Sequence, residues 1–204
     1  MKIHIVNYGM GNIFSLQKKI QDKNISLTVS SNASDIINAD KVILCGVGHF
    51  KMAMDNLREL ALIDPLNDFA LSQKKPVLGI CLGMQLMAGY SEEGNSNGLG
   101  WINASVKKFT SDRTKKFKVP HMGWNTISLS NDNLLMRNID ENAEFYFAHS
   151  YYLQTDNPKN IFNETKYIHN FCSGINQENI FGVQYHPEKS HDVGQILLDN
   201  FISL

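Results

Sequence analysis

Pro76-Val77-Leu78-Gly79-Ile80-Cys81-Leu82-Gly83-Met84-Gln85 is the stretch whose reading decides the fold. Its apolar run is too short for a helix, stops at a cysteine near two glycines, and gives way to helix-forming residues. That order predicts a buried parallel strand, a sharp turn at Cys81 and a helix whose N-terminus faces the turn. Gly79 and Gly83 permit the tight backbone, because a Cβ there would crowd the turn and anything approaching the thiol. The positive end of a helix dipole favours a thiolate, so Cys81 is a candidate nucleophile. A strand-end cysteine that only packs reads the same way. The choice rests on what else the chain supplies.

Far downstream, Phe181-Gly182-Val183-Gln184-Tyr185-His186-Pro187-Glu188-Lys189-Ser190 is a second strand ending in a turn, here carrying an imidazole and a carboxylate. A thiol nucleophile needs a base to take its proton and a third group to hold that base in one tautomer. His186 and Glu188 stand two apart, so an extended backbone points them the same way, with Pro187 stiffening the step. The pair favours Cys81 as nucleophile, His186 as base and Glu188 as its orienting group.

Cys45-Gly46-Val47-Gly48 offers a third part. Backbone N–H groups on a glycine-flexible turn can stabilise a developing oxyanion, and the N–H of Leu82 is a natural second donor. The same glycines also suit a plain strand-to-helix turn. Gln85, one helical turn beyond Cys81, is placed to hold a substrate amide or carboxylate, or is an ordinary exposed polar residue.

Moving outward, the first half alternates strands and helices: strands at Ile3–Val6, Ser26–Ser30, Val42–Leu44 and Val77–Ile80, with helical patterns at Ser15–Ile20, Ala33–Ile37 and Met52–Leu71, the last restarted at Pro65. This predicts a mainly parallel central sheet with helices on both faces, the turns after Val6, Leu44 and Ile80 sharing one edge. After Tyr90 the pattern changes. Ser91–Gly98 reads as a polar loop, and strands at Ile102–Phe109, Trp124–Leu129, Phe145–Ala148, Lys166–Phe171 and Ile180–Gln184 follow without helices between them, an antiparallel extension closed by a helix at Val193–Ile202.

The 204 residues, 43% hydrophobic and 19% charged, suit one globular domain spanning 1–204. A net charge of −1 gives no global attraction to nucleic acid or an anionic membrane. Three cysteines are an odd number without metal-site spacing, so neither a disulfide framework nor a metal site is expected, and no cofactor. Among the histidines, His149 is expected to fix a backbone turn. The opening apolar run breaks at Asn7 and no run reaches transmembrane length, so cytoplasm is the expected compartment.

Together these segments resemble the class I glutamine amidotransferases, and among them the glutaminase subunits of imidazole glycerol phosphate synthase. The resemblance covers nearly the whole chain. It is carried by Tyr8-Gly9-Met10-Gly11-Asn12, by Gly79–Gln85, by Pro120-His121-Met122-Gly123-Trp124-Asn125, by Phe145–Tyr151 and by Gly182–Ser190. It implies the flavodoxin-like amidotransferase fold and hydrolysis of L-glutamine through a glutamyl thioester on Cys81, with His186 shuttling the proton and Glu188 orienting it. Val47 and Leu82 amides would be the oxyanion donors. Gly46, Gly48, Gln85 and the backbone around His149, Ser150 and Tyr151 would bind the substrate. It implies a heterodimer with a (β/α)8-barrel cyclase subunit that receives the ammonia, faced by Asn12, Met122, Trp124, Tyr146 and Lys189. A paralogue feeding ammonia to another synthase, as in amidination of surface sugars, is the alternative. One departure stands out: Cys45 occupies the position where this family usually has proline, so the turn is expected to loosen and basal activity to change.

Overall fold

A computed structural model gives the fold, describing residues 1–20, 25–110 and 117–204. In chain order the first half runs β1 (Lys2–Val6), α1 (Ile13–Lys19), β2 (Ser26–Ser30), α2 (Ala33–Ile37), β3 (Lys41–Gly46), α3 (Phe50–Glu59), α4 (Ile63–Asn67), β4 (Val77–Cys81) and α5 (Leu82–Leu86). The second half runs β5 (Ala88–Ser91), β6 (Ser96–Asn97), β7 (Ile102–Lys108), β8 (His121–Leu129), β9 (Glu144–His149), β10 (Tyr151–Thr155), β11 (Ile161–Lys166), β12 (Asn170–Gln177), β13 (Ile180–Val183) and α6 (His191–Ile202).

One sheet carries both halves, in the order β2-β1-β3-β4-β13-β12-β10-β7-β5-β6, with β11, β8 and β9 branching from β12. The pairs from β2 to β13 are parallel, and β12 turns the sheet antiparallel. Strands β3 and β4 are buried along their whole length, as a parallel sheet covered on both faces requires. Val42 and Leu44 point to the face covered by Ile36 of α2, Phe50 and Leu57 of α3 and Leu66 of α4. Ile43 and Cys45 point to the other, covered by Leu16 of α1 and Leu197, Leu198 and Phe201 of α6. No helix among the described residues is long and apolar enough to cross a membrane.

The expected fold class holds, with local corrections. The strand expected at Lys166–Phe171 is a tight turn between β11 and β12, closed by Tyr167 N donating to His169 O at 3.1 Å. Tyr167 and Ile168 lie in the turn itself and pack partly buried against the core, so their apolar character imitates a strand. Strand β10 went unrecognised, and Ser91–Gly98, expected to be a loop, contains the edge pair β5–β6. Cys45 and Gly46 lie inside β3, paired with Ile80 and Cys81, rather than in the turn that follows. Pro65 sits in the first turn of α4, where its missing N–H has no intrahelical partner to lose.

Candidate active site

Strand β4 ends at Cys81 with φ 53° and ψ −109°, a left-handed conformation that a side-chain-bearing residue adopts at a strain of about 1–3 kcal/mol. The surrounding glycines show what holds it. A Cβ on Gly83 would lie 1.6 Å from the Leu44 carbonyl oxygen, and one on Gly79 would lie 2.7 Å from the Met84 backbone nitrogen. Helix α5 therefore packs with its backbone against β3 and β4, and Cys81 is pinned at the turn. The opening turn buttresses the neighbouring strand end: the Tyr8 hydroxyl fills the space over Gly46, where a Cβ would be 2.1 Å away, and Met10 does the same over Gly48.

Because β13 lies beside β4 with Val183 opposite Ile80, their carboxyl ends reach the same edge, and the chain beyond β13 delivers His186. Its Nδ1 meets Glu188 Oε1 at 2.8 Å. The backbone from Pro187 to Lys189 is a 3-10 turn, so the pair forms across a turn and not along an extended strand as the spacing suggested. His186 N donates to Tyr146 O at 2.9 Å, and Ser190 Oγ donates to His186 O at 2.6 Å. Burial pushes the His186 imidazole down, but the Cys81 sulfur and Glu188 outweigh it and raise it to about 10. Nε2 is buried with no hydrogen-bond partner among the described residues, so the proton it holds near neutral pH is free to go to a leaving group.

A cavity of about 190 Å³ opens over Cys81, lined also by Val47, Gly48, Leu82, Gln85, Glu93, Pro120, Met122, Ala148, His149, Ser150 and Tyr151. It is smaller than a drug-sized site and suits a small metabolite. Gly46 is not in the lining, because Tyr8 covers it. Gln85 Nε2 donates to Tyr151 O and to Gln184 Oε1, each at 2.9 Å, so its amide presents only the carbonyl to a ligand. His149 Nδ1 donates to Tyr151 O at 2.7 Å, the turn-fixing arrangement expected of it. The sequence reading missed Glu93, a carboxylate in the cavity wall that also accepts from Phe50 N at the start of α3 at 2.8 Å. In a polar loop nothing distinguished it from a solvated acid.

The glutamine amidotransferase class-I family model matches residues 4–204. The chain belongs to the class I glutamine amidotransferases. Imidazole glycerol phosphate synthase subunit HisH 2 of Methanococcus maripaludis is 48% identical, covering 98% of each chain. Imidazole glycerol phosphate synthase subunit HisH of Leptospira interrogans is 42% identical, over 99% of this chain and 100% of its own. Among solved structures, the glutaminase domain of Trypanosoma brucei CTPS superposes with a TM-score of 0.69 at 15% identity, covering 100% of this chain and 94% of that one. A Thermotoga maritima glutamine amidotransferase gives 0.65 at 17% identity, covering 100% and 83%. At those identities the likeness concerns the fold.

Beside its cavity this amidotransferase carries an exposed aromatic face. Met122 is 65% and Trp124 45% exposed, unlike the buried Phe145 and Phe147 of the paired strand β9. Trp124 stacks on His191 at 4.9 Å and meets Tyr146 edge-on at 6.0 Å, while Lys189 Nζ lies 5.5 Å from the Tyr146 ring centre. Asn12 caps α1, which packs against the Pro187–Lys189 turn. The other two thiols of the amidotransferase are sealed: burial pushes Cys45 up to about 12 and Cys172 higher still, so neither forms a thiolate near neutral pH.

Proposed function

We propose that this amidotransferase is the glutaminase subunit of an imidazole glycerol phosphate synthase, hydrolysing L-glutamine to L-glutamate and ammonia in histidine biosynthesis. The observation that carries the reading is the strained Cys81 beside the His186–Glu188 pair, in a chain 48% identical to one such synthase subunit over 98% of its length.

In this reading the Cys81 sulfur attacks the side-chain carbonyl carbon of glutamine beside a His186 imidazole that, raised to about 10, already holds the proton on Nε2. Val47 and Leu82 N–H groups receive the oxyanion. Collapse expels nitrogen, which takes the proton from His186 and leaves as ammonia. Water, deprotonated by the same imidazole, then attacks the thioester and releases glutamate and the free thiol. Glu188 keeps Nδ1 protonated so that Nε2 does the exchange. Gln85 Oε1 and the backbone of Ser150 and Tyr151 hold the amino-acid end of the substrate. The Glu93 carboxylate pairs with its α-ammonium. Glu93→Gln is expected to raise KM roughly 10–100-fold with kcat little changed, as loss of a charged hydrogen bond does. Steady-state glutamate release checks it, and an unchanged KM removes Glu93 from the site. The chemistry calls for no cofactor or metal ion.

Ammonia is mostly protonated near neutral pH and is then no nucleophile, so enclosed transfer to a (β/α)8-barrel cyclase subunit in a cytoplasmic heterodimer preserves it. Asn12, Met122, Trp124, Tyr146 and Lys189 form the proposed docking face. An exposed tryptophan at such a face is an anchor worth about 2 kcal/mol or more, so Trp124→Ala is expected to weaken association roughly 30-fold or more in a titration. Residues 1–204 act as one domain, since a single sheet carries both halves of the site.

The deciding experiment measures glutamate release by the chain alone and then with a histidine-pathway cyclase subunit and its nucleotide ligand. Strong stimulation supports the assignment, and equal activity with and without that partner overturns the acceptor. A second reading, a paralogue serving another synthase, is favoured by Cys45 standing where the family usually has proline. Stimulation by that synthase and not by the cyclase would select it.

A further inference from the structure

We propose that Gln184 is a positioning residue for the Cys81 sulfur, aimed through Gln85 by the Tyr151 carbonyl, which a second hydrogen-bonded arm reaching Asn125 on β8 braces. The inference rests on Cys81 being the nucleophile.

Gln184 follows β13, is fully buried, and donates from Nε2 to Cys81 Sγ at 3.6 Å. Its own N–H donates to Ser173 O at 2.9 Å, so the backbone is fixed as well. An amide has two chemically opposite ends, and which end faces the sulfur is decided elsewhere. The fixed point is the Tyr151 carbonyl, which can only accept. Gln85 donates to it at 2.9 Å, so the Gln85 atom there is nitrogen. The second N–H of that nitrogen points at Gln184 at 2.9 Å, so the Gln184 atom it meets is oxygen. The other end of Gln184 is then the NH2 group, and it is the one on the sulfur.

The same carbonyl fixes a second arm by the same logic. His149 Nδ1 lies 2.7 Å from Tyr151 O and must carry a proton. A neutral His149 then offers Nε2 as an acceptor, and His121 Nδ1, 3.1 Å away, must donate to it. His121 Nε2 becomes the acceptor for Asn125 Nδ2 at 3.1 Å, and that amide also donates to Lys166 O at 3.1 Å. Every proton along the path has one allowed place. Breaking the path at His121 leaves His149 Nε2 without its donor and loosens the ring that braces the Tyr151 carbonyl, through which Gln85 and then Gln184 are oriented. Asn125 follows Trp124 in β8 with its side chain on the opposite side of the strand, so the arm begins behind the exposed aromatic face.

An N–H aimed at sulfur stabilises the thiolate over the thiol and holds it for attack. The test is the pH dependence of Cys81 carboxamidomethylation by iodoacetamide, located by mass spectrometry, together with kcat and KM for glutamine. In Gln184→Glu a carboxylate replaces the donor, and the midpoint is expected to rise by about one pH unit or more. Gln184→Met, which removes the donor without adding charge, should give a smaller rise. In both, kcat should fall at least tenfold with KM within about threefold, the pattern of an interaction made in the transition state. His121→Phe, which keeps the ring stacking on Tyr167 and Phe147, should move the midpoint the same way by less. If Gln184→Glu fails to fold, Gln184→Met carries the test. Unmoved midpoints in variants that melt like the parent overturn the role of Gln184. A shift in the Gln184 variants without one in His121→Phe overturns the bracing arm. If the parent's Cys81 is labelled no faster than Cys45 and Cys172, the nucleophile assignment fails instead.

Discussion

Cys81→Ala will eliminate glutamine hydrolysis, lowering glutamate release by about 10⁴-fold or more, while the protein melts within a degree or two of the parent. The size follows from the chemistry: without sulfur there is no thioester, and the His186–Glu188 pair has nothing to activate. The small stability change follows from the backbone. Alanine inherits the same left-handed φ of 53°, so strain is neither added nor relieved, and only one buried sulfur atom is lost. Cys81→Gly separates the two effects further. It should be equally inactive and about 1–3 kcal/mol more stable, because glycine adopts that φ freely. Thermal melts beside the glutamate assay check both, and a Gly variant less stable than Ala would mean the turn is not strained.

Mild acid should destabilise the protein before its carboxylates are neutralised. Burial pushes His149 down to about 3 and His121 to about 4, while an unfolded chain protonates both near 6.5. Below that pH the unfolded state binds protons that the folded state refuses, so stability is full above about 6.5 and is lost as pH falls. Between pH 6.5 and pH 5, His149 alone is expected to remove about 2 kcal/mol, with a smaller share from the less enclosed His121. His186 does not compensate. Its imidazole is raised to about 10, so its contribution is complete below 6.5 and declines only as pH climbs toward 10. Denaturant midpoints at pH 7, 6 and 5 measure the acid slope. His149→Gln should flatten it, and an unchanged slope would place the acid sensitivity elsewhere.

What the sequence disclosed and what it concealed divide along a physical line. The parallel half was legible because buried parallel strands read as short apolar runs separated by helical patterns, and Val77–Cys81 with its flanking glycines has few other conformations open to it. The antiparallel half was harder. Strands β11 and β12 bury polar residues such as Asn163, Thr165 and Ser173, whose side chains are satisfied by one another and by Tyr185 across the assembled sheet. The segments bearing Cys81, His186 and Glu188 were recognisable because local backbone constraint marks them. Glu93 and Gln184 carried no such mark: one resembles any loop acid, the other any polar strand residue, and only the assembled cavity distinguishes them. His121 and His149, 28 positions apart, meet because they are register partners in β8 and β9.

The place of β13 in the sheet has a further consequence, for synthesis. Among the described residues β13 is the strand made latest, and it slots between β4 and β12, in the middle of the sheet rather than at its rim. On the ribosome, the segment bearing the thiol emerges long before the segment bearing the imidazole. Until β13 arrives, the thiol strand is an open border and no base stands beside it. A nascent or prematurely terminated chain therefore consumes no glutamine, and carries instead two unpaired strand borders that quality control can recognise. Catalytic competence and sheet closure arrive in the same event.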